Sequence, residues 1–112
     1  MTSLKAAPSS KDAEESVLGS ILLDGVSVYE KVAAWIRDED AFYYKDNRLI
    51  WKAIKEVYKA SEPIDVITIA DKVKDMNGGS GMSYFITGIT NEIPTTANAE
   101  YHAKIIWERH VQ

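Results

Sequence analysis

The sequence predicts an all-α domain, a compact bundle of about six short helices, and three observations carry that prediction. Apolar residues recur at the three-and-four spacing of a helix in several separate windows. Gly25, Pro63 and the Asn77–Gly81 cluster punctuate these windows, and no stretch sustains the strict alternation of a half-buried strand. The nearest approach to a strand, Ile67-Thr68-Ile69, is β-prone but short, and it continues evenly into Ala70 and Val73, so helix is expected there too.

Met1 to Ser10 is small, polar and broken by Pro8, which makes residues 1–10 a flexible arm and 11–112 the folded domain. The first helix opens near Asp12, repeats Ala13, Val17, Leu18, Ile21 and Leu22, carries Asp12, Glu14 and Glu15 where the helix dipole favours acid, and closes at Gly25. Gly19 lies inside it at a cost of about 1 kcal/mol relative to alanine, so a second segment of backbone is expected to pack closely there. Ser27-Val28-Tyr29-Glu30 fits a capping box opening a second helix that runs to about Ile36. Residues 37–44 have no sustained period and are expected to form a loop or short helical turn carrying a cluster of rings.

The third helix, from Asp46 to Ala60, is the clearest: Leu49, Ile50, Ala53, Ile54, Val57 and Tyr58 form one stripe, with Lys52, Lys55, Glu56 and Lys59 turned to water. Pro63 stops it, and Asp65 can cap a fourth helix from Val66 to Met76. The cluster Asn77-Gly78-Gly79-Ser80-Gly81 ends that helix. A fifth follows over Met82 to Thr90 with Tyr84, Phe85 and Ile89 apolar, and Thr95-Thr96 offers caps for a sixth from Ala97 to the end of the chain.

Composition excludes several functions. The 112 residues are 46% hydrophobic and 27% charged, which fits one soluble domain and no two-lobed enzyme. Thirteen Lys and Arg against seventeen Asp and Glu leave a net charge of −4, opposite to the basic footprint of backbone-driven nucleic-acid binding, so any work near DNA is expected to go through protein partners. Without cysteine there is no disulfide, thiolate metal site or cysteine nucleophile, and a cytosolic setting is favoured. Neither a signal-peptide core nor a membrane-length apolar run is present.

Chemistry is equally sparse. The glycine cluster lacks the lysine and Ser/Thr that must follow a phosphate loop, since Met82 and Ser83 come next. Asp38-Glu39-Asp40 and the Asp71/Asp75 pair have no closing ligands nearby for a hard cation. His102 and His110 stand eight apart on the last helix, about two turns, too far to share a metal. No serine sits in a nucleophile elbow, so no catalytic, cofactor or metal site is read in this chain. Rings are plentiful: six tyrosines, three tryptophans and two phenylalanines. Trp35, Trp51 and Trp107 all fall on helices, where core packing is the default. Trp107 is the exception, because Tyr101, Ile105 and Ile106 already define the apolar side of the last helix and Trp107 turns about 100° from Ile106. Tyr101, Ile105, Ile106 and Trp107 are therefore the expected protein interface.

Several segments, in fixed order, carry more than helix pattern: Glu14-Glu15-Ser16-Val17-Leu18-Gly19-Ser20-Ile21-Leu22-Leu23-Asp24, then Asp40-Ala41-Phe42-Tyr43, Asn47-Arg48-Leu49-Ile50-Trp51-Lys52-Ala53-Ile54, Pro63-Ile64-Asp65-Val66-Ile67-Thr68, the glycine turn before Tyr84-Phe85, and Ile93-Pro94-Thr95-Thr96-Ala97-Asn98-Ala99-Glu100-Tyr101-His102-Ala103-Lys104-Ile105-Ile106. Together, over Asp12 to Val111, they resemble the N-terminal domain of DnaB-type replicative DNA helicases. The resemblance implies a collar domain of a hexameric motor at the replication fork, in the cytoplasm of a bacterium or serving a phage or mobile element. It implies self-association, as a dimer in isolation or a hexamer in the parent, and docking of primase and the helicase loader. DNA would be met only through the parent ring, and ATP with Mg only in a motor domain absent from these residues, so this fragment is expected to be no enzyme itself. Trp107 stands where the family has a basic residue, and Tyr44-Lys45 replaces a turn that often contains proline, which marks a divergent member. Two other binding modules remain open: the helicase-binding domain of a primase, and a free-standing regulator that mimics the collar. A small enzyme with an unfamiliar site is the alternative of a different class.

Overall fold

The helices come in the order that the hydrophobic periodicity predicts: α1 (Lys11–Asp24), α2 (Val26–Ala33), a 3-10 turn (Glu39–Ala41), α3 (Lys45–Lys59), α4 (Val66–Lys74), α5 (Ser83–Asn91) and α6 (Ala99–His110). A computed structural model describes residues 11–111, and no strand occurs among them. The arm expected over Met1–Ser10, like Gln112, lies outside the described residues.

α1 is the central element. Its Val17, Leu18, Ile21 and Leu22 are buried, and it touches every other α-helix, with α6 and α5 the most extensive contacts. α3 lays Ile50, Ala53, Ile54 and Val57 of the expected stripe against α4 and α1, with Leu49 and Tyr58 half-buried at its edges. Trp51 joins that stripe as core: its ring lies 5.4 Å from Tyr29 and 5.5 Å from Phe42, both buried. The loop before α3 is thus held through Phe42, whose ring packs on Trp51 of α3, while Tyr29 of α2 packs on the same indole.

Gly19 is where the expected close approach occurs. A β-carbon there would stand 2.8 Å from Cγ1 of Ile93 and 3.0 Å from the Ile89 carbonyl oxygen, so the α5 end and the loop after it press onto the bare face of α1. Gly19→Ala gains about 1 kcal/mol of helix propensity and meets overpacking of about 1–3 kcal/mol. A net loss of about 1 kcal/mol is expected, read as a lower urea midpoint with unchanged slope.

Several boundaries differ from the sequence reading, each for a local reason. The capping box at Ser27 does not form. Gly25, at φ 77°, lets the chain turn and restart a helix at once, so α2 begins at Val26 with Ser27 already inside it and no side-chain cap. Glu30, freed from that role, accepts a hydrogen bond from the Tyr58 hydroxyl at 2.6 Å. α2 ends at Ala33, three residues short of the expected Ile36, and the chain leaves it through a turn in which the Ile36 N–H still donates to the Val32 carbonyl. The 37–44 segment does contain a helical turn, capped by Asp38, whose carboxylate accepts from the Asp40 N–H. Asp65 caps α4 as expected, accepting from the Thr68 N–H at 2.8 Å. α6 starts two residues later than predicted, at Ala99, because Thr95 spends its hydroxyl on the Ala97 N–H in a turn and Thr96 donates to the Asp24 carboxylate. Tyr84, read as an apolar member of the fifth helix, is 91% exposed, and Ile86 and Ile89 form the buried side instead.

Glu14 is the largest departure. Expected only as an acid that the dipole favours in the first turn of α1, it is fully buried. Its carboxylate accepts from the N–H groups of Tyr43 at 2.8 Å and Tyr44 at 3.4 Å, and from Nδ2 of Asn47 at 3.0 Å. α1 is thereby tied to the start of α3 through one charged acceptor.

Candidate interaction surface

The four residues expected to form one interface lie on α6, and the helix distributes them around its axis. Ile106 is fully buried beside Ala99 and Ala103, so it belongs to the core and presents nothing to a partner. Tyr101 and Ile105, one turn apart, share a side; Tyr101 is 63% exposed and Ile105 half-buried. Trp107 stands about 160° around the helix from Ile105, half-buried, with its ring 5.2 Å from that of His110. The structure therefore brings Tyr101 together with Ile105 and separates both from Trp107.

What accompanies Trp107 was not legible in sequence. Glu100, Lys104 and Trp107 fall within about 60° of arc on α6, and Trp35, beyond the end of α2, reaches the same side. Its Nε1 donates to the Glu100 carboxylate at 3.1 Å, and the Lys104 ammonium stands 5.6 Å from its ring centroid. Trp35 is half-buried, so this flank presents two partly exposed indoles with a charge of each sign between them, and exposed Val111 extends it one turn beyond Trp107. Indoles at a polar-rimmed surface are the side chains that most often anchor protein contacts.

Elsewhere the polar groups build structure. Asp71 pairs with Lys74 at 3.7 Å, and Lys72 bridges α4 to Glu56 of α3 at 3.0 Å, which holds the Lys72 ammonium above its usual range. The hydrogen bond to Glu30 raises Tyr58, and burial raises Tyr29. A cleft of about 540 Å³ opens between the first turns of α1, the end of α5 and α6, lined by Asp12, Glu15, Glu92 and His102 over Ile89 and Ile93. Among the described residues no three His, Cys, Asp or Glu side chains are grouped to hold a metal ion, and no helix is long and apolar enough to cross a membrane.

Six α-helices, with no strand among the described residues, place the domain in the all-α class. Comparison with known proteins gives the particular family: residues 6–108 match the DnaB-like helicase N terminal domain, and the chain belongs to that family. It is 37% identical over 100 residues to the replicative DNA helicase DnaB of Leifsonia xyli subsp. xyli, covering 87% of this chain and 21% of that protein. It is 32% identical over 107 residues to the replicative DNA helicase DnaC of Bacillus subtilis, covering 93% and 23%. The crystal structure of the N-terminal domain of DnaB helicase from Mycobacterium tuberculosis superposes with a TM-score of 0.81 at 30% identity, covering 91% of this chain and 71% of that one. The chain thus spans less than a quarter of the length of these two helicases.

Proposed function

We propose that this domain is the N-terminal collar of a replicative, ATP-dependent DNA helicase, and that it acts by self-association and by docking partner proteins. The observation that carries the reading is the fold match over 91% of the chain to the N-terminal domain of a DnaB helicase. The work assigned to the domain is to hold subunits of a hexameric ring together and to receive primase and the helicase loader in a bacterial cytoplasm. ATP and Mg belong to a motor region outside these residues, and the net charge of −4 fits a domain that meets proteins before it meets DNA.

The indole flank of α6 is assigned the subunit contact, with Trp107 as its anchor. Trp107→Ala should weaken self-association by about 2 kcal/mol, roughly thirtyfold in Kd, and leave far-UV helicity unchanged. Sedimentation equilibrium over a concentration series reads this. An oligomer mass unaltered by Trp107→Ala but lowered by Tyr101→Ala would move the contact to the opposite side of α6, and a mass unaltered by both would remove α6 from the interface.

A further inference from the structure

The connection from α4 to α5 carries a reactivity that a docking role does not use. We propose that Asn77 is a site of spontaneous modification, losing its side-chain amide to give aspartate and isoaspartate, with water as the co-reactant and ammonia as the product.

The chain has four asparagines, and the fold treats them differently. Asn47 is buried, with its amide donating to Glu14. Asn91 closes α5 and Asn98 precedes α6; both are exposed, but Glu92 and Ala99 follow them, and a β-carbon on the next residue crowds any ring that closes there. Asn77 is exposed in the turn after α4 and is followed by Gly78. Gly78 stands at φ 89°, with nothing within 4 Å of the place a β-carbon would occupy. Its N–H has no acceptor among the described residues, whereas that of Gly79 donates to the Met76 carbonyl at 3.0 Å.

These are the conditions the reaction needs. The Gly78 nitrogen, once deprotonated, bonds to Cγ of Asn77; the bond from Cγ to Nδ2 breaks, and the leaving nitrogen takes up the proton as ammonia. The product is a five-membered succinimide whose ring nitrogen is that of Gly78. Water then adds across one of the two ring C–N bonds. Opening at Cγ leaves aspartate, and opening at the main-chain carbonyl carbon leaves isoaspartate, with the chain now running through Cγ. Asp24-Gly25 presents a similar pair in sequence, but there the Gly25 N–H donates to the Ile21 carbonyl at 2.7 Å and the Asp24 carboxylate accepts from Thr96, so neither reacting group is free.

The position gives the product consequences. Asn77 lines a cleft of about 180 Å³ with Lys45, Arg48 and Lys52, as well as Glu39 and Asp40, so a new carboxylate would enter an existing charge cluster. Isoaspartate also lengthens the main chain by one carbon next to Gly79. That residue has no slack, because a β-carbon on it would overlap the Val73 carbonyl oxygen.

The test incubates the folded chain at mildly acidic and mildly alkaline pH, maps peptides by mass spectrometry, and detects isoaspartate by enzymatic methylation. Asn77→Gln, whose longer side chain closes its ring far more slowly, is the control. Amide loss is expected at Asn77, faster than at Asn91 and Asn98 by an order of magnitude or more because glycine removes the β-carbon. It should be faster at alkaline pH and absent from Asn77→Gln. An amide at Asn77 that stays intact in the folded chain, or is lost no faster than those at Asn91 and Asn98, overturns the proposal.

Discussion

Glu14→Ala is expected to destabilise the domain by about 3–5 kcal/mol, close to the whole margin of a chain this size, roughly 5–10 kcal/mol. The carboxylate is fully buried and accepts from two backbone N–H groups and the Asn47 amide. Alanine removes the acceptor from one buried and two part-buried donors, and a buried donor without a partner costs about 1–3 kcal/mol. Water entering the vacated space limits the loss, which is why it falls short of the sum. Glu14→Gln keeps the shape and one carbonyl oxygen, so about half the loss is expected. Urea unfolding followed by circular dichroism reads both variants. Equal midpoints for Glu14→Ala and the parent chain would mean that the loop before α3 is held by packing alone.

Trp51→Ala should cost a comparable amount, about 3–5 kcal/mol, through the cavity left by the largest fully buried side chain in the core. The indole is the central member of the Tyr29, Trp51 and Phe42 cluster, so its removal also takes away two ring contacts, each worth about 0.5–1.5 kcal/mol. The visible result is loss of cooperative thermal unfolding or a marked drop in Tm. Glu14 and Trp51 act on the same loop, Glu14 on the Tyr43 and Tyr44 amides and Trp51 on the Phe42 ring. The two changes are therefore expected to be non-additive, which a double-mutant cycle measures.

The parts of the fold that were legible in the sequence are those decided by local periodicity. The α3 stripe, the Asp65 cap and the close approach at Gly19 follow from helical spacing, side-chain acceptors and a missing β-carbon. What was not legible depends on residues distant in sequence. Nothing within a turn of Glu14 reveals that Tyr43, Tyr44 and Asn47 will surround it, so the sequence showed only an acid that obeys the dipole rule and not its burial. The Ser27 box failed because Gly25 starts α2 at Val26, and its glutamate is left to a partner 28 residues away, Tyr58. For the candidate surface on α6, the helix period turns Trp107 about 100° away from Ile106. It could not say that Ile106 lies on the buried side of α6, or that Trp35 joins the flank beside Trp107 through Glu100 and Lys104. The surplus of rings was the available signal for Trp35, and it did not distinguish core from surface.

If these residues are the proposed collar of a much longer motor protein, the mass of the native polypeptide shows it. An antibody raised against the folded domain, used on lysate from source cells, should reveal a band several times heavier than 12.5 kDa, in keeping with the 21% and 23% of the two bacterial helicases that the chain covers. A single band at 12.5 kDa would overturn the collar proposal and leave a free-standing module with the fold of a helicase N-terminal domain and no motor attached.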